Sequence, residues 1–447
     1  KDTPNHSNVA AYVAHTGKTV NINDAYKEEG FDFSGTKKFD EITGYRSKSF
    51  LTVPLKNHED EIIGVMQLIN SIDDKTGQTV SFSSEMQSQI ESLCSQGAVA
   101  LTNKRLVKEL KKLFEAFIKL IAKAIDEKSP YTGGHCERVP EITMMLADAV
   151  EKVNYGKYKD FSMTKEEKYE LFIAGWLHDC GKVATPPHVV DKGTKLETIF
   201  DRIEIIKTRF EVIKRDVEIE CLKKKIKFLE KGLKIDGSLD LKFKEDVNQI
   251  KKEQAFIEKA NIGGEFMPDE EQTKIKDISK KYIWNNNGEK EPFLTDIEVE
   301  NLCIPKGTLT ADEREQINDH IRITIDMLEQ LPYPKHLKNV PEFAGGHHEK
   351  LDGTGYPNGL KADEMSVQAK MMAIADIYEA LTAADRPYKD GKKLSKAMRI
   401  MGFMKNEYEI DADLFEIFVK EEVYKKYANK YVEKDQIDLV DEKSVLN

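Results

Sequence analysis

Between residues 8 and 80 the apolar positions come in short runs separated by turn residues. Thr19-Val20-Asn21-Ile22-Asn23 alternates strictly, Ser49-Phe50-Leu51-Thr52-Val53-Pro54-Leu55 is apolar and β-branched, and 61–69 repeats that character. These runs predict strands, with Asn57-His58-Glu59-Asp60 as the hairpin turn between the last two. Helical patterning before the first strand and after the last completes a small α+β module over 1–82. From Ser83 the period lengthens. Ile90, Leu93, Leu106, Leu110, Leu113, Phe117, Leu120 and Ile121 recur mostly three, four or seven apart, which predicts a connecting helix over 83–126. Such a stripe is either a core face or a coiled-coil seam, and we read it as pairing with its copy in a homodimer.

From 127 to 447 the pattern reads as helices separated by Gly/Pro loops, without a convincing strand. Residues 196–261 are rich in Lys, Glu and Ile and broken at 232–237, which predicts a long antiparallel helical hairpin. Lys192-Gly193-Thr194 is echoed by Lys306-Gly307-Thr308, so the hairpin is expected to lie in an insertion at about 193–305. Within it, 263–300, with Asn285-Asn286-Asn287-Gly288, is expected to be loop-rich and weakly structured. The hairpin's charged face reads as a solvated spacer.

Composition narrows the class. The 447 residues are 40% hydrophobic and 33% charged, enough for two to four domains with strongly solvated surfaces. The charge sum, 68 − 79 = −11, argues against a nucleic-acid polymer as partner but leaves room for a small anion in a local basic pocket. No apolar run approaches a membrane span and no signal peptide precedes the first residues, so a cytoplasmic location is expected. The chain opens at Lys1 rather than Met, which predicts a fragment; an upstream anchor or sensor stays open. Five scattered cysteines, with no C-x-x-C pair, read as reduced thiols.

Ten histidines carry the chemical signal. His135 follows Thr132-Gly133-Gly134 and opens a helix; His178-Asp179 closes the apolar run Ala174-Gly175-Trp176-Leu177. His320 lies in an amphipathic helix over 313–331, His347-His348 precedes Glu349-Lys350-Leu351-Asp352-Gly353-Thr354-Gly355-Tyr356-Pro357, and Asp376 is embedded in an apolar helix over 371–381. An ionised Asp in such a helix costs several kcal/mol or more unless a partner or a cation compensates it. Imidazole with carboxylate suits iron, manganese or zinc. Neighbours on a helix are about 100° apart, so His178-Asp179 and His347-His348 can each aim two ligands into one cavity, and one carboxylate can bridge two metals. His6, His15, His58, His188 and His336 read as ordinary hydrogen-bonded or surface residues.

This His…His-Asp…Asp framework resembles the HD metal-dependent phosphohydrolases. His178-Asp179-Cys180-Gly181-Lys182, His347-His348-Glu349, Gly355-Tyr356-Pro357 and Ala380-Leu381-Thr382-Ala383-Ala384-Asp385-Arg386-Pro387-Tyr388-Lys389 are similar to the HD-GYP subfamily. The likeness spans about 128–192 and 306–400. It implies an all-α domain that hydrolyses cyclic di-GMP to linear pGpG and/or GMP, with some members preferring cyclic GMP-AMP. It further implies one metal on His135, His178, Asp179 and Asp376, and a second, bridged by Asp179, on His320, His347 and His348. Some members hold a third metal through a Glu four residues before the first histidine. This chain has Tyr131 there, so two divalent cations per chain are expected, iron ahead of manganese. Asp179 and Lys182 are the expected catalytic residues. Lys182 is also expected to reach a phosphate, Arg386 and Lys389 to clamp the second phosphate, and Gly353 and Gly355 to let the loop approach closely. Tyr356 would face the ligand or a GGDEF-type partner. A different HD chemistry, or a non-catalytic cyclic dinucleotide-binding signalling protein, is the alternative.

Upstream, Lys37-Lys38-Phe39-Asp40-Glu41-Ile42-Thr43-Gly44-Tyr45-Arg46 and Ile62-Ile63-Gly64-Val65-Met66-Gln67-Leu68-Ile69-Asn70 resemble a GAF domain. Lys38-Phe39-Asp40-Glu41 is similar to a motif of GAF domains in cyclic-nucleotide phosphodiesterases. The resemblance implies either a small-ligand sensor or a ligand-free dimerising module, and its first part is expected to be missing. Cys94, on the connecting-helix pattern, is not expected to anchor a chromophore or haem. The whole chain thus reads as an α+β GAF-like N-terminal module joined by a long helix to an all-α HD-type metallohydrolase domain carrying a helical-hairpin insertion.

Overall fold

A computed structural model describes residues 5–128, 134–235, 237–264, 266–286, 288–384 and 391–447. The chain divides into two compact units, residues 1–116 and 117–447.

In the first unit, helix α1 (Val9–Thr16) starts where the Asn8 side chain accepts from the Ala11 N–H and stops at Gly17, whose φ of 65° is costly for a residue with a Cβ. Strands β1 (Val20–Ile22), β2 (Phe50–Lys56) and β3 (Ile62–Ile69) form an antiparallel sheet in that order, with Val20 opposite Thr52 and Phe50 opposite Ile69. The predicted turn forms at 57–61, where Asn57 Oδ1 accepts from the N–H groups of Glu59 and Glu61. Alternation along β2 feeds two cores. Phe50 packs with Val9, Val13, Ile22 and Phe33, while Leu51 and Val53 pack with Phe82 and Cys94. Helix α2 (Ser34–Thr43) is fastened by buried Asp40, which accepts from Ser47 N–H (2.7 Å), Ser47 Oγ (2.8 Å) and Tyr26 OH (3.0 Å). A short hairpin, β4 (Ser71–Ile72) with β5 (Thr79–Val80), leads into the 43-residue helix α3 (Ser84–Asp126).

The second unit packs α4 (His135–Val150) against α5 (Lys165–Leu177) and α13 (Val367–Thr382), while α11 (Ala311–Glu329) lies on α12 (Val340–Gly345) and on a 3-10 turn, Cys180–Ala184. A four-residue helix α6 (Pro187–Val190) follows that turn. Thr164 with Glu167 opens α5 as a reciprocal cap, and Thr310 with Glu313 opens α11 the same way. Helices α14 (Leu394–Asn406), α15 (Ala412–Lys420), α16 (Val423–Tyr431) and α17 (Glu442–Leu446) complete the unit.

The excursion between the two Lys-Gly-Thr triplets has its own core. Its hairpin is α7 (Ile203–Glu230) against α8 (Ser238–Asn261). Backbone bridges Thr194–Ile262 and Gly264–Gly307 close its neck, where the buried Lys195 ammonium donates to the carbonyls of Leu302 (3.0 Å) and Ile304 (2.8 Å). The expectation that 263–300 is loop-rich, and that no strand follows 127, is corrected. Helix α9 (Asp269–Lys281), the hairpin β6 (Ile283–Asn286) and β7 (Glu289–Pro292), and α10 (Asp296–Leu302) fill this stretch. Their apolar residues are few, and they bury them on α7: Phe210 packs against Phe293 and Tyr282, and Ile275 and Ile278 join the same cluster. Four-residue strands and a helix with two core residues show little periodicity alone; the α7 surface selects them.

Candidate metal centre

The local sequence explains why these segments can converge. Gly175 in α5 faces Pro140 of α4, whose Cα would be 3.1 Å from an added Cβ, so the two helices can close together. After Leu177 the chain tightens, leaving His178 and Asp179 at the junction with the 3-10 turn. At Gly181 a Cβ would lie 2.0 Å from the His320 carbonyl oxygen and 2.6 Å from Thr324 N. Only glycine lets α11 cross this turn, and the Gly181 N–H donates to Thr324 Oγ1 at 2.8 Å. Two anchors come from the end of α3. Asp126 Oδ2 accepts from the N–H groups of Gly134 (3.1 Å) and Cys136 (3.3 Å), on either side of His135. Lys128 Nζ donates to the carbonyls of Lys182 (3.2 Å), Val183 and Thr185 (2.7 Å).

Two clusters of ligand atoms result, His135-His178-Asp179 and His320-His347-His348. His135 Nε2 lies 3.1 Å from Asp179 Oδ2, 3.3 Å from Asp376 Oδ1 and 3.3 Å from His178 Nε2. His178 Nε2 lies 3.3 Å from Asp179 Oδ2, and His320 Nε2 lies 3.2 Å from Asp179 Oδ1. Asp179 therefore turns one oxygen to each cluster. The far nitrogens fix the imidazoles: Nδ1 of His178 donates to the Gly175 carbonyl (2.7 Å), that of His347 to Ala344 (2.6 Å) and that of His320 to Ile317. Each ring thus directs an Nε2 lone pair inward.

The electrostatics suit cations. Asp179 Oδ1, His320 Nε2 and His347 Nε2 are buried without a hydrogen-bond partner, and the first two are lone-pair atoms facing each other. A divalent cation satisfies all three, so the donor set fits the metals implied by the sequence. Burial, reinforced by the neighbouring imidazoles, holds His347 well below the usual histidine range; burial takes His348 down to about 4. Both are neutral imidazoles at pH 7. Burial opposes ionisation of Asp179 and Asp376, but Lys182 and His178 for the first, and His135 for the second, keep both well below the usual carboxylate range. Burial likewise disfavours a charged His135, yet Glu379, Asp179 and Asp376 together raise its affinity for a proton well above the ordinary value.

The structure brings His135, His178, Asp179, His320, His347, His348 and Asp376 together, with Lys182 beside them, its Nζ 2.6 Å from Asp179 Oδ2. Tyr356 stacks on His348, ring centroids 4.9 Å apart. The close approach at Gly355 has a different cause from the one expected. An added Cβ would meet the chain's own Lys350 N at 2.3 Å and Glu349 Cα at 2.5 Å, so this glycine serves closure of the loop on itself. Glu349 completes that closure by accepting from the N–H groups of Asn358 (2.7 Å) and Leu360 (2.9 Å). Arg386, Lys389 and Tyr131 lie outside the described residues. The five histidines set aside are exposed.

Sequence reasoning missed Glu379. Its Oε2 lies 2.5 Å from His135 Nδ1, and its Oε1 accepts from Arg138 Nε (2.7 Å) and Nη2 (2.6 Å). The available signal was the one that marked Asp376: a carboxylate in an apolar helix, one turn further on.

Residues 2–101 match the GAF domain, and residues 297–414 match the HD domain, so the chain carries both. The HD match includes His320, His347, His348 and Asp376; His135, His178 and Asp179 join them from the other side of the insertion. A 3'3'-cGAMP-specific phosphodiesterase of Vibrio cholerae is 39% identical over 104 residues, 23% of this chain and 22% of that protein. A cyclic di-GMP phosphodiesterase of Pseudomonas aeruginosa is 45% identical over 74 residues, 17% of each chain. One from Thermotoga maritima is 33% identical over 125 residues, 25% of this chain and 33% of its own length. The chain thus spans between about a sixth and a third of the length of these relatives. Among the described residues no helix is long and apolar enough to cross a membrane.

Proposed function

We propose that this chain is a metal-dependent phosphodiesterase that opens cyclic di-GMP to linear pGpG and/or GMP, controlled by its GAF domain. The observation that carries the reading is Asp179 set between two imidazole clusters, with its Oδ1 and the Nε2 atoms of His320 and His347 buried without a partner. His135, His178, Asp179 and Asp376 would hold one divalent cation and Asp179, His320, His347 and His348 a second, iron ahead of manganese. Two such cations, when bound, supply Lewis acidity, neutralising charge on a phosphodiester and acidifying the attacking water.

The chain's own groups do the rest. Lys182 places an ammonium at the Asp179 carboxylate, where a non-bridging phosphate oxygen would also sit. Glu379 holds the proton on His135 Nδ1 and so keeps Nε2 turned to the site. Arg386 and Lys389, by their spacing, would clamp the second phosphate. Tyr356 offers an aromatic wall beside His348, and its loop, with Asp352, Thr354 and Asn358 exposed, is the proposed docking point for a GGDEF-type partner. Homodimer formation through α3 is supported by its exposed Leu106, Leu110 and Leu113, at four- and three-residue spacing. The GAF unit would be either a small-ligand sensor or a ligand-free dimerising module, and a cytoplasmic location is proposed from the substrate.

The test is elemental analysis of anaerobically purified chain, paired with turnover of cyclic di-GMP and 3'3'-cGAMP by the same sample. Two iron or manganese per chain with linear product supports the proposal. Absence of metal under those conditions would leave a binding protein. A second reading, preference for cGAMP, is favoured by the relative of that specificity, and the ratio of kcat/KM for the two dinucleotides decides it.

A further inference from the structure

Helix α7 carries two apolar faces, and the fold explains one. Its inner residues Ile203, Ile206, Phe210 and Ile213 are buried with Ile250 and Ile257 of α8. On the opposite side Ile205, Val212, Ile219 and Ile226 recur seven apart, and Leu222 and Leu229 follow Ile219 and Ile226 by three. At 100° per residue this outer stripe lies about 180° around the helix from the inner one. Ile219 is 46% exposed, Leu222 49%, Ile226 53% and Leu229 62%.

We propose that this outer face, over 218–230, docks a second copy of the chain, parallel and in register. The first argument is residue type. With Ile219 lettered a, the seam carries Ile at both a positions, 219 and 226, and Leu at both d positions, 222 and 229, the combination that favours parallel two-stranded coiled coils. Charge is the second argument. In a parallel pair each g position faces the e position five residues on in the other copy. Glu218 then meets Lys223, and Lys225 meets Glu230, both of opposite sign. The same rule bounds the seam. One heptad earlier, Glu211 would face Asp216, with Thr208 and Arg215 at d, so the pairing stops at the distal half of the hairpin. Lys223 and Lys225 reach Glu220 (3.1 Å) and Asp240 (2.6 Å) within the chain; surface pairs of this kind contribute little and exchange readily.

The test uses the full chain with Cys221→Ser and Cys303→Ser, into which single cysteines are placed at 220, 222, 226, 227 or 229 and mildly oxidised. The proposal expects 222, 226 and 229 to crosslink each to its own copy, and 220 and 227 to stay reduced. Lys223→Glu should then abolish the 226 crosslink, and adding Glu218→Lys should restore it. Crosslinking that is absent, or equal on both faces, overturns the docking. Face-specific crosslinking indifferent to the charge exchange overturns the parallel register.

Discussion

Replacing Glu379 with Gln isolates the role of a single buried charge. The residue is almost wholly buried, and its carboxyl is taken down to about 2: burial opposes its ionisation, but His135 and Arg138 outweigh that. Gln keeps the size and a hydrogen-bond acceptor for His135 Nδ1, 2.5 Å away, yet removes the charge that makes this imidazole a stronger donor to a cation. Losing a partner of this kind weakens metal affinity about 10–100-fold, or about 1.4–2.7 kcal/mol. All seven proposed ligands survive the change. Competition with a chelator should therefore show the affinity loss, while two cations still bind at saturation. Glu379→Ala removes the acceptor shared by His135 and Arg138, and should melt at a lower temperature than the Gln variant. Metal affinity in the Gln variant equal to wild type would refute the reasoning, because the His135 contact would then be structural only.

Asp179→Ala should abolish metal binding in both clusters together with hydrolysis, as one carboxylate faces each; a variant that retains two metals per chain sinks the bridging assignment. Gly181→Ala forces a Cβ to within 2.0 Å of the His320 carbonyl and should cost about 1–3 kcal/mol or more, read as a lower Tm; an unchanged Tm would mean that α11 moves aside freely. In the first unit, Asp40 is held below its ordinary value of 3.8: burial opposes this, but the Ser47 N–H and hydroxyl and Tyr26 OH prevail. Because the folded carboxyl is the stronger acid, its contribution is full above pH 3.8 and fades as the pH falls below it. Asp40→Asn should thus be less stable than wild type by about 1–3 kcal/mol at pH 7, the gap narrowing below pH 3.8; a pH-independent gap in urea titrations would exclude the carboxylate as its source.

What the sequence determined by itself is what depends on near neighbours. The alternation in β2 and β3, the reciprocal caps of α5 and α11, and the spacing of the α7 faces all act within a few residues, so they are visible in the order of side chains. The candidate ligand types were legible for the same reason. His178-Asp179 and His347-His348 are adjacent, and an Asp in an apolar helix announces a compensating partner.

Only the tertiary structure decided which partner. His135 and Glu379 are 244 positions apart, and nothing local assigns that carboxylate to that imidazole. The space spared at Gly355 belongs to its own loop, and the strands at 283–292 exist because α7 offers Phe210 as a platform. Local periodicity sets which face of an element is apolar. Which faces meet follows from close packing of the whole unit, where an orphaned lone pair or a missing Cβ takes meaning from atoms far away in sequence.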